Sequence, residues 1–303
     1  VVNEEMPQVY VLEGHGEAEL PEAFSDQIEK ENMELTTFSL LTEDSVPEEA
    51  DCVLIYAPAS DISREEKDLL AKYVSGGGKL MVLAGPVENG TLENLYSLLE
   101  DYGVEAAEGI VVETDRGHYA FQAPYILLPN LQSSEITDPL IQEHYYSIIP
   151  IAQGLTVKGA DSAEVTELLT TSETAFSKTD GYGLTTYEKE EGDTDGPFAV
   201  AVSVACGNDG QMIWFTSSHF LDDMYNAYSS GANLDLGMNA LSSLIGESEA
   251  VAIRSKSLNY NYLTISDSTA SLLKTVMIGV FPLLYLGIGI CVVVRRRRKD
   301  EPV

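Results

Sequence analysis

The sequence predicts an α/β fold: a doubly wound, mostly parallel sheet, an additional mixed α+β part, and one C-terminal transmembrane helix. Three observations carry this. Apolar strand-like runs alternate with amphipathic stretches every 20–30 residues or so in the first third of the chain. Several runs are apolar throughout, as in parallel strands covered on both faces. Lastly, "LLKTVMIGVFPLLYLGIGICVVV", Leu272 to Val294, carries only one charge, Lys274, and runs into Arg295-Arg296-Arg297-Arg298-Lys299.

Each element follows from its local pattern. "QVYVL" reads as a strand, "PEAFSDQIEKEN" as an amphipathic helix with Pro21 in its first turn, and "MELTTFSL" as a second strand. "ADCVLIYAP" is a continuous apolar run, the signature of a central strand. In "DISREEKDLLAKYVSGGGKLMVLAGP", Asp61 or Ser63 is placed to cap a helix, Glu65 and Glu66 suit its positive end, and Leu69, Leu70, Tyr73 and Val74 form its apolar stripe. Gly76-Gly77-Gly78 ends that helix before a buried strand. "TLENLYSLLEDYGV" repeats the scheme, with Thr91 as the expected cap and Gly103 as the stop. The strand–helix alternation makes this half flavodoxin-like.

Beyond Gly109 the rhythm changes. Residues 110–130 read as short strands around "ETDRGHYA", and 131–180 as weak helices and strands. "GYGLTTYEKEEGDTDGP" reads as a solvated loop. "FAVAVSVACGNDGQMIWFTSS" predicts a β-hairpin turning at Asn208-Asp209-Gly210, and "LDLGMNALSSLIGE" a closing amphipathic helix.

Composition narrows the partners. In 303 residues, 49 Asp and Glu against 17 Lys and Arg give a net charge of −32, a field that repels nucleic acid. Leu272–Val294 would span about 34 Å as a helix, enough for a bilayer core of about 30 Å, with Pro282 a potential kink. The basic run puts the C-terminus in the cytoplasm and the globular part outside. The expected divisions are a linker over 1–7, an extracytoplasmic domain over 8–250, a juxtamembrane linker over 251–270, the membrane helix over 271–294 and a basic tail over 295–303. Because the chain opens on Val1 and no export segment precedes the first strand, it is expected to derive from a longer or processed protein. Cys52 and Cys206 fall in strand-like runs and are expected as buried thiols, which fits a bacterial envelope.

In a doubly wound sheet ligands bind at the carboxyl ends of the strands. Gly14, His15, Gly16 and Glu17 follow the first strand, Pro58 and Asp61 the third, and Gly85 and Pro86 the fourth; they form the candidate ligand- or partner-facing crevice. Gly14-His15-Gly16 is only half a dinucleotide fingerprint, with Leu20 in place of the third glycine, and Glu17 would repel phosphate, so no cofactor is expected. No G-x-S-x-G occurs, and "VLAGPVENG" offers neither Ser nor Cys at the turn where a hydrolase nucleophile would stand, so no catalytic residue is assigned. His15 and Glu17 with His118 or His144 lack a recognised metal spacing, so no metal is assigned either. His219, with Asp222 and Asp223 nearby, reads as part of a helix start capped by Ser217 or Ser218.

Four stretches, in order, resemble one family: "VYVLEGHGE", "DCVLIYAPASDISREEKDLLAKYVSGGGKLMVLAGP", "VTELLTTSETAFS", and "WFTSSHFLDD" with "NLDLGMNALSSLIGE". Together with the C-terminal span they are similar to the GldG-like, gliding-motility-type auxiliary subunits of ABC-2 transporters. Such proteins usually carry an N-terminal membrane helix and further outer-domain sequence before the Gly-His-Gly-Glu strand, both missing here. The resemblance implies a non-catalytic accessory beside a separate ABC permease and ATPase in a bacterial cell membrane, anchored in the bilayer through Leu272 to Val294. The alternative is a membrane-tethered carbohydrate-binding receptor or hydrolase using the strand-end crevice.

Overall fold

The chain starts with strand–helix–strand units: β1 (Gln8–Leu12), α1 (Glu22–Lys30), β2 (Glu34–Phe38), β3 (Cys52–Tyr56), α2 (Arg64–Ser75), β4 (Lys79–Leu83) and α3 (Glu93–Glu100). The structure is a computed structural model describing residues 6–158, 165–246, 274–283, 285–287 and 289–290. Every residue of β3 is buried, and successive side chains enter opposite layers. Cys52, Leu54 and Tyr56 join Phe24 and Ile28 of α1, while Val53 and Ile55 join Leu70 and Val74 of α2 and Leu95 of α3. A strand with two apolar faces is stable only between two helical layers, which is why the unbroken apolar run belongs here.

The remainder comprises β5 (Val104–Ala106), β6 (Ile110–Val112), β7 (Ile126–Leu127), β8 (Asn130–Leu131), α4 (Asp138–Gln142), β9 (Ile149–Pro150), β10 (Leu155–Val157), β11 (Val165–Thr170), β12 (Phe176–Lys178), β13 (Thr194–Asp195), β14 (Ala199–Gly207), β15 (Gly210–Phe215), α5 (Asp223–Tyr228) and α6 (Ala232–Ile245). The main sheet runs β2-β1-β3-β4-β15-β14-β10-β5, with β11 and β8 branching from β14. The first five strands in that order are parallel and the rest antiparallel. The hairpin forms as predicted, with Asn208 and Asp209 at φ 47° and 66°, the doubly left-handed turn that matches strand twist.

Three expectations are refined. The mixed part is not appended as a separate sheet: β15 is the last of the parallel strands and lies in the middle of the main sheet, parallel to β4 from Gln211↔Lys79 to Phe215↔Leu83. Its Trp214 and Phe215 are fully buried, and α6 lies with α1 in one layer. Thr91 does not cap α3; that helix is preceded by Leu92, and its amides are met by Asp61 from another loop. The acidic stretch from Gly181 to Pro197 is largely exposed, yet it is pinned: β13 pairs with β12, and Glu190 and Asp193 both engage the buried Lys178. Cys52 and Cys206 are buried in opposite core layers.

The chain divides into two compact units, Val1–Ser257 and Leu258–Val303. In the second, the described residues are helical, with a π-type stretch over Val276–Val280 just before Pro282. A proline has no N–H and its ring crowds the carbonyl four residues back, and a wider turn relieves both conflicts. Met277, Ile278, Phe281, Leu283, Tyr285, Leu286 and Ile290 are all exposed. Among the described residues no helix is long and apolar enough to cross a membrane, and the remainder of the predicted Leu272–Val294 span, with the basic tail, lies outside them.

Candidate functional site

Gly14 and Gly16, at φ 131° and 73°, let the chain leave β1 in a tight turn that a side chain would obstruct; a Cβ on Gly14 would lie 2.7 Å from Leu41. The turn folds His15 inward, to 6% exposure. Its Nδ1 lies 3.2 Å from Glu17 Oε1, and its Nε2 lies 3.2 Å from both oxygens of Glu66. Glu17 Oε2 also accepts the Gly14 and His15 amides at 3.0 and 2.7 Å. Glu66 Oε2 accepts the Ser63 amide at 2.8 Å while the Ser63 hydroxyl accepts the Glu66 amide, a capping box on α2.

Both ring nitrogens therefore face carboxylates, and only the doubly protonated imidazolium donates to both. The hydrogen bond to Glu17, reinforced by Glu66 and against the effect of burial, raises the His15 pKa above its ordinary value. Burial alone would raise both glutamates, but hydrogen bonds outweigh it: His15 and backbone amides hold Glu17 low, and Ser63 and His15 hold Glu66 low. In this arrangement neither nitrogen is available to take a proton from a substrate. The His15 carbonyl accepts from the Ala59 and Ser60 amides and the Ser60 hydroxyl, fastening the loop after β1 to the loop after β3.

Of the other predicted crevice residues, Asp61 is spent on structure. Its Oδ2 accepts the Asn94 amide at 2.8 Å and its Oδ1 the Leu95 amide at 3.0 Å, placing a carboxylate at the positive end of α3. Gly85 follows β4 at the turn where a nucleophile would sit, and a side chain there would be crowded by backbone. A Cβ there would meet the Ser218 amide nitrogen at 3.0 Å and the Ile151 carbonyl at 3.1 Å. The Gly85 amide donates to the Ser218 hydroxyl at 2.9 Å, so Ser218 ties two strand ends together. Neither Ser217 nor Ser218 caps α5, whose N-cap is Asp222 and which has no side-chain cap bond.

The space beside these loops is a cavity of about 690 Å³. Gly16, Pro58 and Pro86 line it; Gly14, His15, Glu17, Asp61 and Gly85 do not. The walls that sequence reasoning missed include Tyr56, Glu19 and Tyr182, joined by Ser218, His219, Asp222 and Asp223, which it had assigned to a helix start, while Glu88 and Asn89 belong to the expected segment Gly85 to Asn89 after the fourth strand. His219 Nδ1 lies 2.9 Å from Asp222 Oδ2, a contact that raises its pKa. The signal was positional: residues 218–223 follow β15, and had β15 been recognised as the parallel neighbour of β4 they would have fallen in the crevice.

The remaining motif residues are fastened in the same manner as His15. Buried Glu113 accepts both the amide and the hydroxyl of Ser172, each at 2.7 Å, in the Leu-Leu-Thr-Thr-Ser stretch. Asn233 of α6 uses all its side-chain capacity, accepting from Ser147 and Ile148 and donating to the Ile148 and Phe220 carbonyls. His118 has a partner set of its own, Asp115 and Asn130, and among the described residues no three His, Cys, Asp or Glu converge to hold a metal ion.

Comparison with solved structures finds the mmIFT52 N-terminal domain, 16% identical, covering 78% of this chain and 97% of that one with a TM-score of 0.56. At that identity the likeness speaks of fold alone. A putative GMP synthase protein from Thermoplasma acidophilum is 8% identical, covering 82% of this chain and 98% of that one, with a TM-score of 0.47. A glutamine amidotransferase from Thermotoga maritima is 7% identical, covering 80% of this chain and 99% of that one, with a TM-score of 0.44. No curated protein matches the chain. The family profile described as an ABC-type uncharacterized transport system, auxiliary component, matches residues 6–206, the region holding the bolted loop, four of the five parallel strands and the Leu-Leu-Thr-Thr-Ser stretch; the chain belongs to that GldG-like family and has an accessory role in an ABC-type transport system.

Proposed function

We propose that the protein is a membrane-anchored, extracytoplasmic accessory subunit of an ABC-type export or gliding-type complex, acting by binding a partner or cargo and performing no covalent chemistry. The observation that carries the non-catalytic part is the strand-end geometry. His15 has both nitrogens committed to carboxylates, and the turn after β4 holds Gly85, where any side chain would be crowded by backbone. The hydrolase alternative thus lacks both base and nucleophile at that turn, while its binding half keeps the cavity in its favour.

The anchor rests on the apolar helix of the second unit, whose side chains are exposed, and on the basic run that follows in the sequence. This orientation leaves the C-terminus in the cytoplasm of a bacterial cell and the α/β unit outside. A separate ATPase hydrolyses ATP, as the family resemblance implies, and a sequence without a G-x-x-x-x-G-K-[ST] loop agrees with this. Affinity purification of the full chain in mild detergent is expected to recover an ABC permease and an ATPase. Recovery of the chain alone across several detergents would contradict the proposal.

A further inference from the structure

Helix α5 is built inside out. Its apolar residues Met224, Ala227 and Tyr228 stand at the i, i+3 and i+4 spacing that normally faces a core, yet all three are exposed and none of the helix's six described residues is buried. The half-buried positions are Tyr225 and Asn226 instead, and the Asn226 side-chain oxygen accepts the Leu234 amide at 3.0 Å. Short helices are held in water mainly by burying their apolar stripe, so a stripe turned outward adds little to the stability of this chain.

Phe121 extends that stripe at a cost of its own. Its ring centroid lies 4.6 Å from that of Tyr228, and the Tyr146 hydroxyl donates to the Tyr228 carbonyl at 3.1 Å, so Met224, Tyr228, Phe121 and Tyr146 make one exposed patch. Phe121 stands in a turn closed by the Ala123 amide donating to the Ala120 carbonyl at 2.9 Å, and both central residues are left-handed, Phe121 at φ 53° and Gln122 at φ 58°. Asn and Gly accept this geometry at least cost; an aromatic held there against its preference and facing solvent marks a site rather than scaffold.

Charge says what covers the patch. No lysine or arginine occurs between Arg116 and Lys158 or between Lys189 and Arg254, the two stretches that supply it, while exposed Asp223 opens α5 and exposed Glu143 precedes Tyr146. Phe, Tyr and Met at the centre with charge kept to the rim is the composition of a protein-binding hot spot. A second copy would bring the same acid to the same rim, with a net charge of −32 on each chain, and is disfavoured. We propose that the patch of Met224, Tyr228, Phe121 and Tyr146 docks a partner protein whose contact surface sets apolar side chains among lysines or arginines. This deepens the partner-binding role proposed above, and the two fail separately. If permease and ATPase co-purify while the patch contacts nothing, this inference falls and that role stands; if the patch contacts a basic and apolar segment of a protein outside any ABC complex, the reverse holds.

The test is photocrosslinking in intact cells that make the full chain, with benzoylphenylalanine in place of Tyr228, of Met224 or, as a control, of Asp68 on the exposed face of α2. Linked segments are identified by mass spectrometry. The Tyr228 and Met224 positions are expected to link to the same segment of another protein, one that carries Lys or Arg beside the linked apolar residue, and the Asp68 position is expected not to. Phe121→Asn, combined with the probe at Met224, is expected to cut the yield about tenfold, a loss typical of a hot-spot aromatic. The same change should leave Tm unchanged or raised, because Asn fits the left-handed turn. Links no stronger than the Asp68 control, links confined to lipid or to a second copy, a linked segment without Lys or Arg, or a lowered Tm with the yield intact would overturn the inference.

Discussion

The loop after β1 and the cavity beside it are built from the same residue types and use them in opposite ways. In the loop, His15, Glu17, Ser63 and Glu66 point at one another, and nearly every donor and acceptor is taken. In the cavity, Glu19, Glu88 and Asp223 have no such partners among the described residues. The contrast separates residues that hold the strand-end loops in place from exposed carboxylates that meet solvent. The conspicuous Gly-His-Gly-Glu motif falls in the first class, and the cavity is lined largely by less conspicuous neighbours.

The largest effect is expected from breaking the bolt. His15→Ala leaves two buried carboxylates facing each other without a cation, a loss of about 3–5 kcal/mol by analogy with other buried pairs, read by chemical denaturation. A loss below about 1 kcal/mol would mean that the pairs are solvated and the contrast is false.

The same bolt should set a pH window. A histidine with a raised pKa contributes fully below its ordinary 6.5 and loses that contribution as pH rises through the raised folded value. The depressed glutamates contribute above their ordinary 4.5 and lose it as pH falls through their lowered folded values. The stability gap between wild type and His15→Ala should therefore be widest between pH 4.5 and 6.5 and shrink on both sides, as followed by denaturation across pH.

A smaller effect sharpens the comparison at Asp61, a predicted crevice residue found to be a cap. Asp61→Ala is expected to cost about 0.5–2 kcal/mol, and hydrogen exchange should show the first turn of α3 opening more readily. Smallest is Asp223→Asn in the cavity wall, expected within about 0.5 kcal/mol of wild type. A large destabilisation there would make the cavity wall structural.

Much of this was legible in the sequence. The β3 run had to be buried on both faces, and a helix had to start at Asp61 or Ser63, because both follow from neighbours in the chain. The role of β15 was not legible, since nothing within Gly210–Phe215 states that it will insert beside β4 rather than at the edge of a second region. The site was obscured for the same reason. Asp61 and His15 each have a local explanation close by in the chain, but their distant partners are Asn94 and Glu66, and Ser218 reaches Gly85 across 133 positions. Side chains that close long loops carry no local periodicity to betray them.

The most direct measurement is the imidazole nitrogen NMR signal of His15 in the full chain across pH. A locked loop predicts both nitrogens protonated at neutral pH, with deprotonation above the ordinary histidine value and a return to that value in a Glu17→Gln, Glu66→Gln double variant. A neutral ring at pH 7 with one free nitrogen would contradict it, and would put His15 back among the groups able to act on a substrate.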